Sequence, residues 1–135
     1  MKGALLMLIL ACVVPGKGAD PSNRTLSTDQ AKNLVLAALS SAQRRLPKLE
    51  VIPDEGQSSP RFMFFIVSWE GLPDGSVIVG NYSVDPHTAD VFSSTIACHE
   101  EKNAKLKALQ AHLRDVLHLS ESEYERLKTK GPLCE

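Results

Sequence analysis

Histidines and carboxylates are the side chains of this sequence that could bind a metal or transfer protons. The segment HEEKN, residues 99–103, begins like a zinc-protease helix, in which two histidines one helical turn apart hold the metal. Asn103 occupies the position of the second histidine, so the segment predicts no zinc site. His112 and His118 are six residues apart and therefore lie on different sides of a helix, and His87 falls in a predicted turn. The histidines therefore predict neither a metal nor a cofactor.

No nucleophile has the surroundings that catalysis requires. No serine lies in the Gly-x-Ser-x-Gly turn of α/β-hydrolases, and no glycine-rich loop precedes a helix to hold a phosphate. Asp85 and Asp90 flank a predicted turn and could pair for acid–base chemistry, but turn carboxylates more often bond to their own backbone. The sequence therefore predicts a non-enzymatic protein that acts by binding.

The first 18 residues have the composition of a secretory signal peptide. Lys2 precedes an apolar run over residues 4–14 that is too short to span a bilayer, and small residues follow this run. Cleavage is expected after Gly18. The alternative is a bacterial lipoprotein signal, in which Cys12 would carry the lipid. The favoured interpretation is a secreted, extracellular protein without a membrane span.

A secreted chain would keep two of its three cysteines, Cys98 and Cys134. Such a pair in an oxidising compartment predicts a disulfide bond, whereas two free buried thiols would fit a cytosolic protein. The bond would close a loop of about 36 residues, which contributes about 3–4 kcal/mol to stability in the chain-entropy model.

Two asparagines lie in N-glycosylation acceptor sequences, Asn23 in Asn-Arg-Thr and Asn81 in Asn-Tyr-Ser. Removal of residues 1–18 takes away two lysines, so the formal charge falls from −1 to −3. A chain with this charge and no basic patch is not expected to bind nucleic acid or an anionic membrane. The predicted partner of this glycoprotein is an extracellular protein or a small ligand.

A single domain over residues 19–135 is predicted from the chain length, with residues 19–26 as a flexible leader. A capping box from Ser27 to Gln30 begins a helix. Its apolar side chains recur every three or four residues as far as Leu46, and Pro47 ends it.

Three runs rich in β-branched and aromatic residues predict an antiparallel meander, with a fourth strand if residues 49–51 are also extended. The runs are residues 61–69, 76–84 and 89–96. Residues 99–135 are predicted to be helical, with a second capping box at Ser120. The predicted fold is α+β: an amino-terminal amphipathic helix packed on an antiparallel three- to four-stranded meander, followed by carboxy-terminal helices.

Alternation along the second strand assigns its residues to two faces. Ile78, Tyr82 and Val84 share one face, which is expected to pack against the first helix. Asn81 lies on the other face, which is partly apolar and partly polar. The run from Phe62 to Trp69 needs cover on both faces, and if the carboxy-terminal helices do not supply the second layer, the apolar face left open would mark a binding site.

The segment Ser76–Gly80, followed by Asn81-Tyr82, is similar to the Gln-x-Val-x-Gly loop and next strand of the cystatin-like superfamily, with Ser76 in place of the glutamine. Residues 82–91 equally resemble the last hairpin of PepSY domains. The cystatin resemblance implies an exposed wedge and, as the alternative function, inhibition of papain-like cysteine proteases. The candidate binding residues are Leu72, Ser76, Val77, Ile78, Val79 and Gly80.

The predicted bond between Cys98 and Cys134 has a direct test in thermal unfolding. A thiol reductant should lower the melting temperature, because opening the loop restores conformational freedom to the unfolded chain. A double variant, Cys98→Ala with Cys134→Ala, should not respond to the reductant. A melting temperature that reduction leaves unchanged in the wild-type protein would contradict the bond.

Overall fold

The computed structural model describes residues 24–57 and 59–132. The predicted signal peptide with Cys12, the predicted glycosylation site Asn23 and Cys134, the second cysteine of the predicted disulfide bond, lie outside these residues. The described chain is α+β, as predicted, with three α-helices and a five-stranded antiparallel sheet. The helices are α1 (Thr28–Ala38), α2 (Ala104–Val116) and α3 (Glu121–Leu127), and the strands are β1 (Glu50–Pro53), β2 (Met63–Ser68), β3 (Ile78–Val84), β4 (Val91–Ser93) and β5 (His99–Glu100).

The five strands follow one another in chain order across the sheet, each antiparallel to its neighbour. The prediction of three or four strands is therefore too low, and the helical prediction for residues 99–135 is wrong at its start. His99 pairs with Ser93 in β5, and the Glu101 amide continues the ladder by donating to the Val91 carbonyl over 2.8 Å. The chain becomes helical only after Asn103, which caps α2.

Helix α1 ends at Ala38, earlier than the periodicity predicted. The Arg44 guanidinium donates to the carbonyl of Leu39 at the helix end. Ser40 and Gln43 exchange bonds between side chain and backbone at 2.8 and 3.1 Å, next to a separate 3₁₀ helix over Gln43–Arg45. Such local bonds compete with helical backbone bonds, so the apolar residues beyond Ala38 keep a helical spacing without forming a helix.

Both capping boxes are confirmed. Ser27 and Gln30 satisfy each other's backbone amides at the start of α1, and Ser120 and Glu123 do so at the start of α3. Each pair supplies acceptors for N–H groups that the first helical turn leaves free. These local interactions explain why the helix starts were predictable.

The core lies between one face of the sheet and the helices. Helix α1 packs on β1 to β4, and α2 packs against α1. The register places the buried residues of neighbouring strands side by side: Phe65 lies opposite Tyr82, and Val84 opposite Val91. The core cluster includes Leu34, Val35, Val51, Phe65, Val67, Tyr82, Val84, Val91, Leu106 and Leu113.

The start of the described chain is docked on the domain rather than forming a flexible leader. Leu26 is buried, and its amide donates to the Pro86 carbonyl over 2.9 Å. The Arg24 guanidinium donates to the Leu117 and His118 carbonyls at the end of α2, over 3.0 and 3.2 Å. The leader prediction is therefore wrong for residues 24–26. Within the described ranges, no helix has the length and apolar character needed to cross a membrane.

The Asn103 side chain joins α1 to α2. Its amide nitrogen donates to the Ala37 and Ala38 carbonyls at the end of α1, over 3.0 and 3.1 Å. Its amide oxygen accepts from the Leu106 amide over 2.9 Å and caps α2. One side chain thus satisfies backbone groups at the end of one helix and the start of the next.

Replacing Asn103 should destabilise the fold, since the change leaves helix-terminal groups on both sides without partners. We expect Asn103→Ala to lower the free energy of unfolding by about 1–2 kcal/mol, the usual cost of losing an N-cap. Urea denaturation measures this change. Asn33→Ala is the control, because Asn33 is exposed within α1. Equal unfolding midpoints for the two variants would contradict the bridging role.

Candidate binding surface

The hairpin between β2 and β3 presents apolar side chains to solvent. Residues 72–78 form an unbroken exposed stretch, in which Leu72 is 73%, Val77 51% and Ile78 49% exposed. The predicted turn is confirmed, because the Gly75 amide donates to the Leu72 carbonyl over 2.9 Å. Large apolar side chains at the tip of a hairpin contribute nothing to the core and are available for contact.

The hairpin is held at its base by hydrogen bonds from one tryptophan. The Trp69 amide donates to the Val77 carbonyl over 2.9 Å, and its indole nitrogen donates to the Ser76 carbonyl over 3.2 Å. The Glu70 amide donates to the Pro47 carbonyl over 2.9 Å. These bonds join both arms of the hairpin and tie it to the segment before β1.

Ile78 does not lie on the core face, which corrects the alternation argument. The register between β2 and β3 shifts at a bulge: Val67 lies opposite Gly80, but Ser68 lies opposite Ile78. Val79 is the extra residue in β3. An extra residue reverses the alternation beyond it, so Ile78 shares the outer face with Ser68 while Val79 packs at the edge of the core.

The loop between β4 and β5 adds a fourth exposed apolar side chain at the same end of the sheet. Ile96 in this loop is 98% exposed. The loop is fastened to β3 at Asn81, whose amide donates to Thr95 Oγ1 over 3.1 Å and whose carbonyl accepts from the Ser94 amide over 3.0 Å. The sequence analysis missed Ile96, because a single isoleucine among small polar residues follows no periodicity.

The structure exposes only part of the predicted wedge. Leu72, Ser76, Val77 and Ile78 are exposed, whereas Val79 is half-buried and Gly80 is buried. A Cβ atom at position 80 would lie 2.6 Å from Thr95 Oγ1. The last two predicted residues therefore lie behind the exposed hairpin instead of at its surface.

The outer face of the sheet, opposite the core, is partly open. Ile52 in β1 is 42% exposed, and Phe64 and Ile66 in β2 are half-buried. Towards β4, Phe92 is buried, with Phe62 packed edge-to-face at 6.1 Å between ring centroids. The apolar face expected from the sequence is thus covered near β4 and accessible near β1.

Asn81 lies on this outer face, half-buried opposite Ile66 in β2. Ser83, the third residue of this acceptor sequence, is buried within β3. Glycosylation at Asn81 remains a prediction. The disulfide bond between Cys98 and Cys134 also remains a prediction, since Cys134 lies outside the described residues.

A cavity of about 460 Å³ lies beside the β4–β5 loop, between the end of α1 and the sheet. Tyr82 lines it and is only 6% exposed. Glu101 directly follows β5 and also lines the cavity, and its Oε1 is 3.0 Å from His99 Nε2. We call this cavity the Tyr82 pocket; its lining includes Ala38, Val79, Tyr82, Ser93, Thr95, Ile96, His99 and Glu101.

Both tyrosines have a raised pKa. Burial raises the pKa of the Tyr82 phenol, and the negative charge of Glu101 raises it further. Burial, followed by the charge of Asp90, raises the pKa of Tyr124 to about 12. The Tyr124 hydroxyl donates to Asp90 Oδ1 over 3.2 Å, so its proton is held in the folded protein.

The two turn aspartates, Asp85 and Asp90, are each paired with an arginine. Arg61 donates from Nε and Nη2 to Asp85 Oδ2 over 2.8 and 2.7 Å. Arg114 donates to Asp90 Oδ1 over 2.7 Å, while burial raises the pKa of this carboxyl. The structure therefore gives the two carboxylates separate structural partners instead of a shared acid–base site. No group of three or more metal-binding side chains occurs among residues 24–57 and 59–132.

No family model matches the chain, and no curated protein matches it. A chain of a type VI secretion system effector–immunity complex from Pseudomonas protegens has a similar structure, with a TM-score of 0.59 and 21% sequence identity. The match covers 81% of this chain and 93% of that chain. At this identity the likeness shows the fold alone.

Tyrosine ionisation should separate the folded from the unfolded protein, since the chain has only two tyrosines and both have a raised pKa. An unfolded tyrosine ionises near pH 10, about two units below Tyr124. The unfolded chain loses these protons first, so the free energy of unfolding should fall as pH rises above about 10.

Ultraviolet titration of tyrosinate in native and denatured protein measures this difference. The native curve should lie at higher pH, and Tyr124→Phe should remove its most alkaline part. Tyr82→Phe is the matched variant, which should leave that part in place. Coincident native and denatured curves would contradict the raised pKa values.

Proposed function

We propose that this protein binds a partner protein through the apolar end of its sheet. The observation that carries the proposal is the set of exposed side chains from the β2–β3 hairpin and the β4–β5 loop, which we call the apolar rim. Its members are Leu72, Val77, Ile78 and Ile96, each about half exposed or more. Apolar side chains concentrated at one end of a small domain are typical of interaction surfaces.

The rim is suited to binding because its backbone is fixed before a partner arrives. The hydrogen bonds of Trp69 hold the hairpin, and those of Asn81 hold the loop. A fixed surface loses little conformational entropy when it binds. Each large apolar side chain that becomes fully buried contributes about 1.5–3 kcal/mol, so a few of them can anchor a contact.

The likeness to a chain from an effector–immunity complex supports a protein as the partner. That chain was solved as part of an effector–immunity complex. Binding instead of catalysis is supported by the pairing of Asp85 and Asp90 with arginines. Both carboxylates are occupied in holding the fold together.

The extracellular localisation of the protein and its glycosylation are part of this proposal. Residues 1–18 would direct the chain to secretion, and the mature domain over residues 19–135, with its helix before the sheet, would meet an extracellular partner. Carbohydrate at Asn23 and Asn81 belongs to the same proposal, and at Asn81 it would project from the outer face of the sheet. The alternative is a lipoprotein signal, in which Cys12 would carry a lipid.

A second candidate function is inhibition of a papain-like cysteine protease. The exposure of residues 72–78 favours it, because a cystatin-type wedge must reach into the cleft of the enzyme. The burial of Gly80 opposes it, since the glycine of the family's loop would have to face the protease. Binding of another partner is therefore the function that the geometry supports better.

Two valines provide a matched test of the rim. Val77 in the hairpin and Val116 in α2 are 51% and 50% exposed, so their replacement should affect folding alike. The mature domain is used as bait in extracellular fluid of the source organism, and bound proteins are identified by mass spectrometry. Val77→Asn should reduce recovery of the wild-type partner by about tenfold, the equivalent of one apolar contact of 1.4 kcal/mol.

Val116→Asn should recover the partner as the wild-type protein does. Equal melting temperatures for the two variants would show that the hairpin change acts on binding. Equal recovery by the two variants would contradict the rim as the binding surface. If the recovered partner is a papain-like protease, titration of its activity would favour the second candidate function.

A further inference from the structure

Strand β1 forms one edge of the sheet, and β2 is its neighbour. Directly after β1, the Asp54 amide donates to the carbonyl of the opposite residue, Phe64, over 2.9 Å. Hydrogen-bonded pairs alternate with non-bonded pairs along an antiparallel ladder, so Ile52 is also bonded to β2. Val51 and Pro53 occupy the alternate positions and turn their backbone polar groups away from β2.

The outward edge of β1 is open. Glu50, Ile52 and Pro53 are exposed, and within residues 24–57 and 59–132 the outward amide and carbonyl of Val51 form no hydrogen bond. Pro53 suits its position, because its backbone lacks an N–H group and the ladder to β2 requires none there. Unpaired backbone groups along a sheet edge are a template for pairing with another strand.

The charges that flank β1 are complementary to one another. Lys48 precedes the strand, and Asp54 and Glu55 follow it. An antiparallel alignment of two copies would place the start of one strand beside the end of the other, so Lys48 of each copy would meet Asp54 of the second. Lys48 now pairs with Glu70 over 2.9 Å, but both side chains are more than half exposed. Such a surface pair contributes little and leaves the lysine able to interact with the second copy.

The outward groups of β1 define one register for this alignment. With Val51 opposite Val51 of the second copy, the two residues exchange both of their N–H···O=C bonds. The Leu49 amide of each copy then faces the Pro53 carbonyl of the other. Glu50 lies opposite Ile52 of the second copy, where its aliphatic stem can pack on an apolar side chain.

Other registers bring like charges together. Sliding the strands by two residues in one direction puts Glu50 opposite Glu50 of the second copy. Sliding them in the other direction puts Glu50 opposite Asp54 and sets Val51 against Pro53, which has no amide to donate. Like charges directly opposite each other destabilise a strand pair. Slips of one residue fail as well, because they place outward groups of one copy against inward groups of the other.

We propose that two copies of this chain pair antiparallel along β1, centred on Val51, and join their two five-stranded sheets into one. The inference goes beyond the proposed function, since it depends on the β1 edge and uses no residue of the apolar rim. A second copy fits this edge better than an unrelated strand, because a single sequence supplies both halves of the charge and hydrogen-bond pattern.

Two further features of the structure agree with this pairing. Ile52 is 42% exposed beside the half-buried Ile66, and its counterpart in the second copy would lie diagonally across the new pair, about 7–8 Å away. The two-fold axis would also place the two apolar rims at opposite ends of the joined sheet. A dimer would therefore present two separate copies of the rim.

The register is tested by two matched replacements of Ile52, with sedimentation equilibrium of the secreted chain as the measurement. Ile52→Glu puts a carboxylate opposite Glu50 of the second copy, whereas Ile52→Lys puts an ammonium group there. Both variants lose the same exposed side chain. The wild-type chain should show a reversible equilibrium between monomer and dimer. Dimerisation of Ile52→Glu should be at least about tenfold weaker than that of Ile52→Lys, because two symmetry-related pairs change from attraction to repulsion.

A double variant and a rim variant complete this experiment. Adding Glu50→Lys to Ile52→Glu restores opposite charges and should restore the dimer, while Val77→Asn should dimerise as the wild-type chain does. Three results would overturn the pairing: a monomer at every concentration, equal dissociation constants for Ile52→Glu and Ile52→Lys, or no recovery in the double variant. A dimer that is lost in Val77→Asn and kept in Ile52→Glu would place self-association at the rim and overturn it too.

Amide hydrogen exchange locates the contact without any substitution. The Val51 amide is bonded only in the dimer, so its exchange should become faster on dilution. The Ile52 amide is bonded to β2 in both states and is the internal control. Val51 exchange that stays independent of concentration while dimers form would contradict the β1 contact. Protection that appears only when the captured partner is added would assign the edge to a strand of that partner instead of a second copy. Failure of the rim appears separately, as equal capture by Val77→Asn and Val116→Asn.

Discussion

The pairing of Asp90 with Arg114 is the interaction on which the rest of the structure depends. Asp90 is 3% exposed at the turn between β3 and β4, and a carboxylate so placed must be compensated by charge and hydrogen bonds. Arg114 comes from α2, and its guanidinium also stacks 4.0 Å above the ring of Tyr124 in α3. One turn of the sheet thereby fixes the position of both carboxy-terminal helices, and α2 in turn closes the core over α1.

Local chemistry made part of the fold predictable. Capping boxes at Ser27 and Ser120 depend on residues three positions apart, so the sequence reveals the helix starts directly. The end of α1 was not predictable, because it depends on an arginine that reaches back to the helix carbonyls. The orientation of Ile78 was not predictable either, since a bulge is a property of two paired strands. Periodicity describes one element at a time and cannot show what a neighbouring element imposes.

The candidate site was likewise predictable only where its residues are close in sequence. The exposed hairpin was foreseen from its proline–glycine turn and flanking strands, which are consecutive in sequence. The pocket beside it was not foreseen, because Tyr82 has the pattern of a core residue and Glu101 the pattern of a solvated one. Their juxtaposition needs the end of α1, the middle of β3 and the chain beyond β5 to meet. Only tertiary structure brings such distant segments to one cavity.

The close contact at Gly80 sets the spacing of the surface. With no side chain at this position, the loop that carries Ile96 can approach β3 until Thr95 touches the backbone. The hairpin that carries Val77 leads directly into the same strand, β3. The absence of a Cβ atom at Gly80 therefore determines the distance between the Ile96 loop and the Val77 hairpin. A partner would therefore meet Ile96 and Val77 at a fixed separation. A larger residue at position 80 would change that separation without altering any side chain that the partner touches.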